Sequence, residues 1–396
     1  MSLIGQSATV VGAGVAGLAV ARALALRGAR VTVLEQADAI REVGAGLQVS
    51  PNGACVLRAL GLQAGLDAAS IRAAAVRMID GPSGEPVTCL DLLRLRPGQG
   101  YHFLHRADLI AMLLDAAQEA GVTLRLLSRI ETVHLSGPRP VVVLDGGERI
   151  ETPLLIGADG LHSRIRAALN GPETPFFTRQ VAWRALIPCE PGAAPVAEVH
   201  MGPGRHLVSY PLRGGTLRNI VAVEERAKWA EESWTLRDDP MDLRLAFAGF
   251  APRVRAWLDR VEDPWLWGLF RHGVAETWIR PMGQGGVAIL GDAAHPTLPF
   301  LAQGASMGLE DAWVLADSLA RHDTASAALV AYQAARKPRT SRIVAAANAN
   351  ARAYHLSGLP RMIGHAGLRL LGRLSPGAML ARFDWLYDHD VTQTTP

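Results

Sequence analysis

The stretch "ATVVGAGVAGLAVARALALRGARVTVLEQ", residues 8–36, limits the fold more than any other. Ala8 to Val11 is an apolar run of strand type, and Gly12-Ala13-Gly14-Val15-Ala16-Gly17 is a GxGxxG turn. Leu18 to Arg27 has helical apolar spacing, Gly28 ends it, and Arg30 to Leu34 is a second strand closed by Glu35. In a strand–turn–helix–strand unit, Gly12 permits the tight turn and Gly14 lets a pyrophosphate approach the backbone. Gly17, next to the small Ala16, allows close packing of helix on sheet. Free amides at the helix start attract phosphate, and an acid at the end of the second strand accepts from ribose hydroxyls. The unit predicts a dinucleotide site in an α/β fold. Glu35 disfavours a 2′-phosphate there, because like charges repel.

The next segment, "REVGAGLQVSPNGACVLRALGL", favours a flavin over a nicotinamide. Arg41 follows the acid-tipped strand, within reach of a pyrophosphate or ribose. Gly44-Ala45-Gly46 permits close backbone approach, and Ser50-Pro51-Asn52 reads as a helix start with Ser50 as the cap.

Two later segments repeat the pattern of strand, Gly-rich turn and helix. In "TPLLIGADGLHSRIRAAL", Asp159 can cap the turn or accept from a ribose hydroxyl, and Gly157 and Gly160 permit torsions costly to larger residues. In "GGVAILGDAAHPTLPFLAQGASMGLEDAWVLADSLA", Gly291-Asp292 ends a strand, His295 to Pro299 is a rigid loop, and Gln303-Gly304-Ala305 leads into a long helix. An acid at the strand end can bind a sugar or ribityl hydroxyl, and the helix amides can stabilise a ring that becomes anionic. His295 suits a turn-supporting role as well as a catalytic one.

With GAGVAG and Glu35, GADGLHSRIR (157–166), GDAAHP (291–296) and AQGASMGLEDA (302–312) in this order, the chain resembles the group A FAD-dependent aromatic hydroxylases of the para-hydroxybenzoate hydroxylase fold. It is most similar to the salicylate hydroxylase and 3-hydroxybenzoate 6-hydroxylase branch. The resemblance implies tightly but non-covalently bound FAD, held by Gly12, Gly14, Ala16, Gly17, Glu35, Arg41, Arg106, Asp159, Gly160, Asp292, Pro299, Gly304 and Ala305. It implies NADH or NADPH as a transient co-substrate, with Asp159 and Gly160 serving both nucleotides. The implied reaction passes one atom of O2 from a flavin C4a-hydroperoxide to a phenolic or aromatic-acid ring. His206 and Tyr210 lie four apart on a strand, so they share one face roughly 13 Å apart along it. The resemblance implies that this pair flanks the ring, His206 accepting a phenolic proton and Tyr210 donating to an oxygen. Arg184 and Arg213 can attract a carboxylate but read more simply as surface charges, and Trp265, Trp267 and Trp278 read as core. The enzymatic alternative is a hydroxylase of a heteroaromatic ring, such as a hydroxypyridine or urate. The non-enzymatic one is a flavin-binding redox sensor.

The expected architecture is a Rossmann-type, glutathione reductase-like FAD domain formed by residues 1–75, 100–180 and 270–325. A β-rich substrate domain, 76–99 and 181–269, is inserted into it, and a helical region, 326–396, follows. Arg336-Lys337-Pro338-Arg339 reads as a solvated helix junction. A homodimer is compatible with the C-terminal helices. Length suggests two or three domains at 396 residues, and a net charge of +3 gives no nucleic-acid signature. Cys55, Cys89 and Cys189 lack zinc or disulfide spacing, so no metal is expected and a reducing cytoplasm is. The N-terminus reads as a strand feeding a turn rather than a signal peptide, and no run is long enough to span a membrane.

Overall fold

The computed structural model of the chain describes residues 2–40, 46–226 and 236–393. Arg41 lies outside them. The strand Ser7–Val11 sits inside a six-stranded sheet ordered Ile279–Met282, Gly285–Ile289, Leu154–Gly157, Ser7–Val11, Arg30–Leu34, Thr123–Arg125. All pairings are parallel except that of Ile279–Met282 with its neighbour. Parallel strands covered on both faces need unbroken apolar runs. Val10, Val33, Leu155, Ile156 and Val287 supply them and are fully buried, each contributing about 1.5–3 kcal/mol on burial. The helices Val15–Ala25 and Gly304–Arg321 pack together against this sheet.

Small residues draw the three Gly-rich turns into one place. A Cβ on Gly12, which has φ +100°, would overlap the Ala158 carbonyl oxygen, and the Ala158 amide donates to Val11 at 2.8 Å. Gly291 and Gly308 both face the Ala16 methyl, where an added Cβ would lie 3.0 Å from it. Turns far apart in sequence therefore meet backbone to backbone.

A second sheet has seven strands in the order Trp265–Arg271, Phe176–Pro188, Leu217–Glu225, Arg205–Leu212, Val196–Gly202, Ala75–Asp80, Pro86–Asp91. Its pairings are antiparallel except Val196–Gly202 with Ala75–Asp80, which brings the early hairpin onto the later strands. Alternation gives it two buried faces. Trp183, Leu207 and Ile220 pack outward against Phe247, which follows the helix Pro240–Ala246, and Trp257 of the helix Pro252–Leu258. Ala182, Arg184, His206, Val208 and Tyr210 turn to the other face. A three-stranded sheet, Gly46–Val49, His102–His105 and Ile71–Arg72, stands between the two large ones. There Gly46 donates to Asn219 Oδ1 at 2.8 Å and accepts from Arg184 at 2.7 Å, so the small sheet is tied to the large one.

The helix Ala325–Tyr354 runs unbroken through Pro338, followed by Gly358–Leu374, Pro376–Ala381 and Asp384–Tyr387. This corrects the expected solvated junction at Arg336. That side chain is 1% exposed, because it neutralises two buried acids of the neighbouring helix.

Candidate active site

A cavity of about 480 Å³ extends from the Gly-rich turns to the inner face of the seven-stranded sheet. At its first end, Val15–Ala25 and Gly304–Arg321 both begin without a side-chain cap. Orphan amides at a helix start attract an anion. Among the described residues nothing lies within 4 Å of where a Gly14 or Gly160 Cβ would sit, whereas a Cβ on Gly17 would overlap the Gly12 carbonyl. Gly17 is thus required by packing, while the space at Gly14 is left open. That opening, beside uncapped helix amides, fits a pyrophosphate.

Glu35 holds this loop directly: its carboxylate accepts from Ala13 N at 2.8 Å and from Ala37 N at 3.0 Å. Asp159 points the other way. It accepts from Ser163 Oγ at 2.5 Å and from Arg164 N at 2.8 Å, capping the helix Arg164–Asn170. Burial raises its pKa, and the hydrogen bonds from Ser163 and nearby amides oppose that. Gly160, not the Asp159 carboxylate, lines the cavity. Arg164 is exposed, but Arg166 is buried and donates to the carbonyls of Gly273 at 2.8 Å and Ala293 at 3.3 Å. It fastens the second turn to the third. Asp292, Pro299, Gly304, Ala305 and Arg106 all border the cavity.

Beneath the third turn lies a buried polar network. Asp311 accepts from the Gly291 amide at 3.0 Å, is bonded to His295 Nε2, and pairs with Arg336 at 2.7 Å. Burial acts to raise the Asp311 pKa, but His295 and Arg336 more than reverse it, bringing it to about 2. Glu310 pairs with Arg336 at 2.6 Å and Arg339 at 2.8 Å, and accepts from Asn52 at 2.6 Å. His295 therefore supports the turn and does not line the cavity. Ser50 does not cap its helix: its hydroxyl bonds Asn52 at 2.6 Å and Ser306 at 3.0 Å, joining this network instead.

The second end of the cavity is mainly apolar, walled by Val76, Met78, Val199, Val208 and Val223, with His206 and Tyr210 on the same strand face. Burial and the nearby His355 hold His206 well below the usual histidine range, so its ring is neutral near pH 7. Burial pushes Tyr210 up to about 12, so its hydroxyl keeps its proton. Tyr210 stacks on Phe103, ring centres 4.9 Å apart. Gln48 and Tyr101 stand nearby, joined by a hydrogen bond of 2.7 Å.

Arg184 corrects the surface reading: it lines the cavity over the Trp267 ring at 4.3 Å, and burial lowers its pKa to about 10. Its Nε is buried without a partner among the described residues. Trp267 likewise lines the cavity, whereas Trp278 is core. Arg213 is a surface charge, paired with Asp108 at 2.7 Å. The sequence offered no signal that separates Arg184 from Arg213, because both sit in alternating strand segments.

A Gly-rich triple turn opening onto an apolar chamber defines a flavoprotein oxidoreductase. The profile of the family described as FAD binding domain matches residues 6–347, and the chain belongs to that family. Among curated relatives it is 34% identical over 368 residues to 3-hydroxybenzoate 6-hydroxylase of Klebsiella oxytoca, covering 90% of each chain. It is 33% identical over 407 residues to 3-amino-4-hydroxybenzoate 2-monooxygenase PtnB3 of Streptomyces platensis, covering 96% of each. The solved structure of Klebsiella pneumoniae HpxO with FAD and uric acid superposes with a TM-score of 0.82 at 26% identity over 95% of each chain. The expected fold class and hydroxylase family are those found. The chain is a flavoprotein of the monooxygenase class, with FAD as its cofactor. No helix among the described residues is long and apolar enough to cross a membrane.

Proposed function

We propose that this chain hydroxylates a phenolic aromatic acid, using NADH or NADPH and O2. One observation carries the reading: a single cavity joins the uncapped helix starts and open glycines to a buried wall bearing His206 and Tyr210. The FAD region would comprise 1–75, 100–180 and 270–325, and the substrate region 76–99 and 181–269, with the helices of 326–396 closing over both. Gly12, Gly14, Ala16, Gly17 and Glu35 would hold the ADP half. Gly160, Asp292, Arg106, Pro299 and the amides of Gly304 and Ala305 would follow the rest, and Asp159 would keep the Gly160 turn in shape.

Reduced FAD supplies the activated oxygen when bound. The protein's own share is to exclude water, orient the ring and move a proton. The valine and methionine wall keeps the chamber dry. The charges of Arg184 and Arg106 favour an acid over a neutral ring. Tyr210 keeps its proton and donates to a ring oxygen, and His206, neutral, takes the phenolic proton and so raises the electron density of the ring. The sequence holds no second GxGxxG after a strand, which suits a nicotinamide that visits and leaves.

Three unpaired cysteines support a reducing, cytoplasmic setting. Exposed Leu359, Ile363, Leu370 and Leu374 on the helix Gly358–Leu374 support a homodimer.

The test is a screen of phenolic and heteroaromatic acids for stimulated NADH and NADPH oxidation by the yellow holoenzyme, with product mass spectrometry. A phenolic acid should gain one oxygen atom, and His206→Gln should lower kcat at least about a hundredfold while keeping FAD. Stimulated oxidation without any oxygenated product sinks the proposal.

A further inference from the structure

The His206 ring is not isolated behind the cavity wall. Its Nδ1 lies 2.7 Å from His355 Nε2, and His355 Nδ1 lies 2.8 Å from Glu225 Oε1. Exposure rises only at the outer end of the row. His206 is 2% exposed and borders the cavity, the His355 side chain is 2% exposed, and the Glu225 side chain is 53% exposed. The row crosses from the cavity to the outside of the molecule in three side chains.

Three separate elements hold these groups in line. His206 sits on the strand Arg205–Leu212, and Glu225 ends the strand Leu217–Glu225 beside it. His355 caps the end of the long helix Ala325–Tyr354. Backbone bonds lock the meeting point: Gly204 N donates to the His355 carbonyl at 3.2 Å, and Glu225 N donates to the Gly204 carbonyl at 2.8 Å.

The carboxylate decides where the protons sit. An ionised Glu225 accepts only, so His355 Nδ1 must carry a hydrogen. In the neutral ring His355 Nε2 is then an acceptor, so His206 Nδ1 must donate to it. His206 Nε2 is left with a lone pair and with no hydrogen-bond partner among the described residues.

We propose that Glu225, His355 and His206 form a proton wire that fixes His206 Nε2 as the base facing the cavity and carries the substrate's phenolic proton to solvent. The inference rests on the reading of His206 as the base. As the phenol O–H breaks, a bond forms at His206 Nε2. His206 Nδ1 gives its proton to His355 Nε2, and His355 Nδ1 gives its own to Glu225. Each histidine ring ends neutral, Glu225 ends protonated and can pass its proton to solvent, and the negative charge rests on the phenolate oxygen in the cavity. The reverse shift returns the proton when product leaves. His206 is the catalytic group; His355 and Glu225 act through it.

The charged and titratable groups facing the wire are few. Burial lowers the His355 pKa, Glu225 opposes this, and Arg205, the first residue of the strand that carries His206, adds to it. Arg205 is itself paired with Glu224 at 3.4 Å. Tyr354 and Phe300 flank the His206 ring at 5.2 and 5.6 Å, and burial pushes Tyr354 up to about 12, so it does not compete for the proton.

The test uses the FAD-loaded enzyme with 4-hydroxy-3-nitrobenzoate, a phenolic acid whose ionisation is visible by absorbance. After a pH jump, the bound phenol should ionise quickly in the wild type. It should ionise at least about tenfold more slowly in Glu225→Gln and His355→Gln, and Glu225→Asp should restore the rate. His206→Gln should abolish the fast phase. Wild-type rates in both Glu225→Gln and His355→Gln, with His206→Gln impaired, overturn the wire and leave His206 as a lone base. A wild-type rate in His206→Gln overturns the base reading itself.

Nitrogen-15 histidine NMR of the same holoenzyme needs no ligand. It should show His206 and His355 neutral and protonated at Nδ1, with the His355 Nδ1 signal altered in Glu225→Gln. A proton on His206 Nε2 in the wild type refutes the proposal. Glu225→Gln, at an exposed position, remains decisive even where His355→Gln fails to fold.

Discussion

Two glycines of the same turn, Gly14 and Gly17, do different work. Gly17 faces the Gly12 carbonyl with no room for a methyl, whereas Gly14 faces open space. Substituting each by alanine should separate folding from cofactor binding. Gly14→Ala should leave the melting temperature of the FAD-free protein nearly unchanged and weaken FAD at least about tenfold, because the methyl fills the space a phosphate needs. Gly17→Ala should lower stability by about 1–3 kcal/mol through overpacking, before any cofactor is added. Apoprotein melts and FAD fluorescence titrations distinguish the two, and equal losses of stability would refute the assignment. The same scale explains Asp159. A carboxylate after a strand serves helix amides or a ribose equally well on residue type, and here the amides of Arg164 and Ile165 hold it.

Among the elements, the helix Gly304–Arg321 organises the site from below. Its Glu310 and Asp311 are fully buried and pair with Arg336 and Arg339 of the next helix, with His295 also bonded to Asp311. The sequence displayed both halves, an acid pair and a basic cluster containing Pro338, without showing that they meet. Pro338 suggested a break, yet packing keeps the helix continuous through it. The acid limb of stability should report the network. Asp311 has an ordinary value of 3.8, brought to about 2 in the fold. Its stabilisation, about 2 kcal/mol, is therefore present above pH 3.8 and lost as pH falls towards 2. Denaturant melts across that range should show the loss, and Asp311→Asn should flatten it. Arg336→Met should cost about 3–5 kcal/mol, since it leaves two buried carboxylates without their shared cation. A melt unchanged by Arg336→Met would show that the acids are neutralised otherwise.

Over the whole molecule, the cavity exists because two sheets and the C-terminal helices close on a common space. Arg96 pairs with Asp384 at 2.6 Å, and Gln99 bonds Asp388, fixing the last helices over the ring end. Leu380, Phe383 and Tyr387 complete its wall. The Arg96–Asp384 pair is partly exposed, so breaking it should cost at most about 1 kcal/mol of stability. Asp384→Asn should raise KM for the ring substrate severalfold while FAD affinity holds, as read by steady-state kinetics and flavin fluorescence. Equal weakening of both would show that these helices brace the cofactor region as well.

The sequence by itself determined the turns. GxGxxG, GADG and GDAAHP are local solutions to steric problems, since a glycine is needed wherever backbone must touch backbone, and such needs are written in consecutive residues. Alternation likewise put His206 and Tyr210 on one strand face. Only the tertiary structure decided which face met the cavity, that Arg184 turned inward while Arg213 paired at the surface, and that Arg336 was buried. It also joined His206 to His355 and Glu225, across three elements. The reason is physical: a charged side chain is buried only where opposite charges or carbonyls from distant segments compensate it, and that compensation exists only once the chain has folded.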